Sequence, residues 1–75
     1  MDPDRTLDLT DLDPPEPLTR MLDELEDLPP GTRLRALFPM DPELLYAILE
    51  QDDFRWDRQP RDDGTVLLVI WRGGT

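Results

Sequence analysis

Residues 66–71 read Val-Leu-Leu-Val-Ile-Trp, six apolar side chains in a row. A membrane-spanning helix needs about 20 such residues, so this run does not span. It is bulky, partly β-branched and preceded by Asp63-Gly64, a hairpin-turn dipeptide. It therefore reads as a strand entered through a tight turn. Val66, Leu68 and Ile70 fall on one face, and Leu67, Val69 and Trp71 on the other. A strand apolar on both faces belongs inside a sheet, between two others. The rest of the chain has to supply those neighbours and a layer to cover at least one face.

Thr6-Leu7-Asp8-Leu9-Thr10 alternates polar and apolar residues, as a short half-buried strand does. Residues 11–17 contain Pro14, Pro15 and Pro17. They cannot continue a strand but can open a helix, whose first N–H groups lack intrahelical partners anyway. Asp13 and Glu16 are expected to supply the cap and the negative charge favoured there. Leu18, Met21, Leu22, Leu25 and Leu28 make a helical stripe, which Pro29-Pro30-Gly31 ends. Residues 32–38 alternate again, with Leu34, Ala36 and Phe38 opposite Arg33, Arg35 and Leu37. Asp41-Pro42 predicts a second helix, with Asp as cap and Pro at its first position. Leu44, Leu45, Ile48 and Leu49 are its expected buried stripe, with Tyr46 at the edge and closure near residues 51–53. Phe54-Arg55-Trp56-Asp57 begins a third strand.

The order is β-α-β-α-β-β. Right-handed crossovers put both helices on one face of a mixed four-stranded sheet, an α/β two-layer sandwich. The first three strands run parallel, and the last returns antiparallel between the second and third. Residues 1–5 are expected as a disordered arm, 6–72 as a single domain and 73–75 as a loose tail.

Such a domain, in a chain of 75 residues, buries only roughly 60% of the surface its unfolded form exposes. Cys and His are both absent, which excludes disulfides, thiol nucleophiles, imidazole bases and Cys or His metal ligands. No positioned acid and base pair stands out, so catalysis is not expected, and no cofactor is. The 8 basic residues are all Arg, against 18 acidic ones, for a net charge of −10. That field repels polyanions and argues against nucleic acid, anionic membranes and phosphate-rich ligands. RNA binding should be undetectable by filter binding at low salt. Asp outnumbers Glu by 13 to 5. A high-salt cytoplasm and GC-rich codon usage account for this equally well, and a salt titration of stability separates them. The start, Met1-Asp2-Pro3-Asp4, has no basic or apolar leader pattern, so a cytoplasmic location is expected.

Two features invite a functional reading. The stiff Pro14-Pro15-Glu16-Pro17 segment could be a recognition loop, since rigidity lowers the entropy cost of docking. The alternative, that it only sets the strand-to-helix turn, is preferred on local grounds. Leu37, Leu67, Val69 and Trp71 should share the sheet face that the helices leave open. A contiguous apolar patch there would mark an interface, either a homodimer or a docked protein partner. Loops, the N-terminal arm or Arg stems could instead cover it. Arg33, Arg35, Arg55, Arg58, Arg61 and Arg72 could form a cationic patch, though balancing nearby Asp residues is preferred. The Asp11/Asp13, Asp52-Asp53 and Asp62-Asp63 pairs lack calcium-loop spacing and read as turn chemistry or solvated charge.

Several of these landmarks resemble the TusA/SirA-like sulfur-carrier fold. In that fold a Cys-Pro-x-Pro motif opens the first helix. Here Leu7-Asp8-Leu9 is followed by Asp13-Pro14-Pro15-Glu16-Pro17-Leu18, with Pro14 where the Cys would stand. Leu28-Pro29-Pro30-Gly31, Asp41-Pro42 and Phe54-Arg55-Trp56 resemble later landmarks, with Asp53 replacing a helix-closing Gly. The Pro-Pro-Glu-Pro-Leu segment resembles the Cys-less branch, domain-of-unknown-function family 2249, over residues 6–72. The resemblance implies the fold and, without a sulfur nucleophile, no sulfur relay by this chain alone. It implies a carrier-like shape used for protein docking through the open sheet face, the first-helix N-terminus, or both. Members of that family occur beside hemerythrin-like and nitrogen-oxide-metabolism proteins, which implies a redox or respiratory setting. The alternative is an accessory subunit of a sulfur-transfer or metal-cluster assembly enzyme whose catalysis lies in the partner.

Overall fold

A computed structural model describes residues 4–73. The elements are β1 (Asp4–Asp8), α1 (Glu16–Glu26), β2 (Arg33–Phe38), α2 (Glu43–Gln51), β3 (Phe54–Pro60) and β4 (Val66–Arg72). They form one sheet in the order β1-β2-β4-β3. β1 and β2 are parallel, and β4 runs antiparallel to both β2 and β3. The doubly apolar strand thus lies inside the sheet, where its two faces require it.

The register sorts the faces. Leu34 pairs with Ile70, Ala36 with Leu68 and Phe38 with Val66, and all six are buried. They share one core with Met21 and Leu25 of α1, Leu28 just beyond it, and Leu45 and Leu49 of α2. A single cluster fed by both helices and one sheet face is the two-layer sandwich. Each large side chain so buried contributes about 1.5–3 kcal/mol relative to exposure. No helix of the described residues is long and apolar enough to cross a membrane.

Four local expectations are corrected. First, β1 begins at Asp4, so Asp4 and Arg5 belong to the sheet and not to an arm. Asp4 pairs in register with Arg33, so the backbone ladder to β2 carries this polar strand on the edge, and the Asp4 carboxylate lies 3.8 Å from the Arg35 guanidinium. Residues 1–3 of the expected arm and 74–75 of the expected tail lie outside the described residues. Gly73 is tied down, its N–H donating to the Asp53 carbonyl at 2.7 Å.

Second, neither Asp13 nor Glu16 caps α1 with its side chain; the N-cap is Pro15. The Glu16 N–H donates to the Asp13 carbonyl at 2.8 Å, and Pro17 has no N–H to offer. The prolines leave a side-chain cap little to satisfy. Third, Asp41 does not cap α2 either; Pro42 is the N-cap and Glu43 the first helical residue. The Asp41 carboxylate is engaged instead by Tyr46 and Arg58.

Fourth, Leu44 is not in the buried stripe of α2 but is 74% exposed. Successive helical residues are rotated by about 100°, so the line of Leu45 and Leu49 faces the sheet and leaves Leu44 to one side. Ile48, four residues on, is half-buried and lines the groove between the helices together with Leu22 and Leu25.

The turns follow their chemistry. Asp53 closes α2 at φ +63°, the left-handed conformation usually given to Gly. Gly64 takes φ +91° in the hairpin, and Asp63 Oδ1 accepts the Thr65 N–H and hydroxyl at 3.0 and 2.6 Å. Arg72 fastens β4 to the end of α1. Its Nε and Nη2 donate to the Leu28 and Leu25 carbonyls, and its guanidinium lies 5.0 Å from the Phe54 ring centre. A cation at these free carbonyls also suits the helix dipole.

Candidate functional site

β1 and β2 are parallel, so the loops that follow them leave the same end of the sheet. Between those loops lies a cleft of about 290 Å³ with an almost wholly apolar lining. Pro14, Pro15 and Pro17 come from the first loop and helix start; Met40, Pro42 and Leu44 come from the second. The Pro14–Pro15 peptide is cis. Buried Phe38 and Leu45 close the cleft beneath. Met40, 61% exposed, and Leu44 are the only strongly exposed large apolar side chains among the described residues, and both lie here.

A polar latch fixes the second wall. The Tyr46 hydroxyl donates to Asp41 Oδ1 at 2.6 Å, and Arg58 reaches both carboxylate oxygens from β3. Tyr46 stacks on Trp56 with ring centres 5.7 Å apart. The Arg58 hydrogen bond and then the Tyr46 hydroxyl hold the Asp41 carboxyl below its ordinary value. Burial first, then the Asp41 carboxylate, pushes the Tyr46 phenol up to about 12. Neither group is poised to exchange a proton near neutrality. Asp41 is ionised and Tyr46 neutral there, a pairing suited to holding a loop in place.

The other expected surface is also assembled. Leu37 pairs with Leu67, and Val69 lies between them and Trp71 on the face away from the helices. That face is not bare. Val69 is only 5% exposed, and Leu37, Leu67 and Trp71 are half-buried. The Arg33 guanidinium sits 5.4 Å from the Trp71 ring centre, and Arg35 is in register with Val69. The Arg33 side chain therefore covers the Trp71 end of this strip, as long cationic side chains can.

Residues 6–72 match a family model described as "Uncharacterized conserved protein (DUF2249)". The chain belongs to the DUF2249 family. The match takes in both loops of the cleft, the latch and the open sheet face. Searches of curated proteins and of solved structures returned no match.

Within this DUF2249 domain the expected site residues divide. Pro14, Pro15 and Pro17 line the cleft, whereas Glu16 is exposed beside it. Leu37, Leu67, Val69 and Trp71 gather on the opposite side of the sheet from the helices. The six arginines do not form one patch: Arg33, Arg35 and Arg55 share the open face, Arg58 serves Asp41, Arg61 lies in the turn between β3 and β4, and Arg72 serves α1. Met40 and Leu44 were not among the expected site residues. Met40, an apolar residue set between Pro39 and Pro42, carried a readable signal. Leu44 carried none, because its helical spacing is that of a core position. Among the described residues no three carboxylates converge as a metal site would need.

Proposed function

We propose that this chain is a non-catalytic docking module that binds another protein through the proline-walled cleft. What supports the reading is the concentration of strongly exposed apolar surface at that one place, with Met40 and Leu44 facing a fixed proline wall. Rigid walls lose little entropy on binding. The open sheet face, where Val69 is buried and Leu37, Leu67 and Trp71 are half-buried, is the weaker candidate for a partner or a second copy.

The absence of Cys and His from the sequence supports a non-catalytic role. The cleft also adjoins Pro14, the position at which the resemblance to sulfur carriers would put the reactive Cys. On that reading the end of the fold that presents sulfur in a carrier here presents apolar surface. The redox or respiratory setting implied by the family resemblance names the proteins to examine first.

The test is a photo-cross-linking amino acid placed at Leu44 or at Leu67 in the whole chain. Position 44 should capture one identifiable protein, and the purified protein should bind the wild-type chain but not Leu44→Ser. Capture only from position 67, or capture there of a second copy of the chain, would overturn the cleft reading. A Cys desulfurase or cluster-assembly protein captured from position 44 would make the chain an accessory subunit of that enzyme.

A further inference from the structure

We infer that the segment seated in the cleft is cationic: one large apolar side chain flanked by Arg or Lys. This rests on the docking reading above and adds the chemistry of the occupant. The size comes first. Sites for drug-sized ligands and cofactors run from about 300 to 1,000 Å³. A cleft of about 290 Å³ lies at the foot of that range and suits a single anchoring side chain.

The charge decides the flanks. Asp41 and Glu43 are the charged residues lining the cleft, and Asp41 already has Arg58. Asp13 and Glu16 stand exposed alongside. Glu16 and Glu43 occupy the first turns of α1 and α2. They already take the positive ends of both helix dipoles, so an incoming carboxylate would meet carboxylates. The net charge of −10 draws a cationic segment towards the protein and repels a second copy of the chain.

Three synthetic peptides with one central Trp, flanked by Arg, Ser or Glu, are titrated into the isotope-labelled whole chain and followed by amide chemical shifts. The Arg peptide should move the amides of Met40 and Leu44, the Ser peptide should do so more weakly, and the Glu peptide should not bind. Glu16→Gln and Glu43→Gln should each weaken the Arg peptide about two- to five-fold, the scale of an exposed ion pair, and leave the Ser peptide unchanged. Molar salt, with a Debye length of about 3 Å, should erase the difference between those two peptides. Equal binding of the Ser or Glu peptide at the same amides would overturn the charge inference and leave the docking reading standing. If no peptide moves the cleft amides, or if shifts fall on Val69 and Trp71 instead, the docking reading itself fails.

Discussion

Arg58 of β3 forks onto Asp41, 17 residues earlier, with Nη2 3.0 Å from Oδ2 and Nε 3.3 Å from Oδ1. The Tyr46 hydroxyl shares the same carboxylate. One acidic side chain thereby ties the loop after β2, the body of α2 and the strand β3 together. Met40, the residue before it, lines the cleft.

That arrangement gives stability a defined acid dependence. Asp41 is held below its ordinary value of about 4 when folded. Its contribution is therefore present above that value and is lost as pH falls through the lowered folded one. Asp8 and Asp63 shift the same way, each accepting a Thr hydroxyl and N–H, from Thr10 and Thr65. The Asp41 side chain is 38% exposed, so its share is small. Urea midpoints measured from neutral to strongly acidic pH should fall less steeply in Asp41→Asn than in the wild type. Parallel curves would show that the latch adds nothing.

At the alkaline end the sign reverses. Tyr46, the only tyrosine, has its phenol raised to about 12, so its contribution is full below the ordinary value of about 10 and is lost as pH rises through 12. Tyrosinate absorbance should show a single midpoint near 12 while the circular dichroism remains native. Asp41→Asn should bring it down. A wild-type midpoint near 10 in folded protein would contradict the hydrogen bond.

Leu44 and Leu45 are adjacent, equal in size and opposite in environment, 74% and 0% exposed. Leu45→Ala should cost about 2–5 kcal/mol, a large part of the total stability of so small a domain. Leu44→Ser should stay within about 0.5 kcal/mol of the wild type. Urea denaturation of both variants checks the pair, and it also establishes that Leu44→Ser is a folded probe of docking.

Backbone conformation supplies the fourth test. Asp53→Gly should stabilise by up to about 1 kcal/mol, because Asp at φ +63° carries a steric cost that Gly does not. Gly64→Ala, at φ +91°, should destabilise by about 1 kcal/mol or more even though open space surrounds the added methyl. Thermal midpoints moving the other way would place these turns in a different conformation.

Most of the architecture was legible in local pattern. Alternation in residues 33–38 and the doubly apolar run at 66–71 set strand faces, and crossover handedness and the Asp-Gly turn then set the strand order. These are short-range consequences of side-chain period and turn chemistry. The two ends of β1 and the caps were less legible, because a polar edge strand is held by its neighbour. A cap, likewise, is decided by which donors remain free. Asp41 could serve a helix N-terminus by sequence, but Arg58 and Tyr46 reach it first in space.

The amino-acid order alone determined which residues line each sheet face and that no thiol or imidazole chemistry is available. Tertiary structure alone decided what is exposed. Whether Leu44 is core or surface depends on how α2 is rotated against the sheet. Whether Val69 is open depends on what the neighbouring strands β2 and β3 lay beside it. The cleft exists only because two parallel strands deliver loops far apart in the chain to the same end of the sheet, and no periodicity within either loop encodes that meeting.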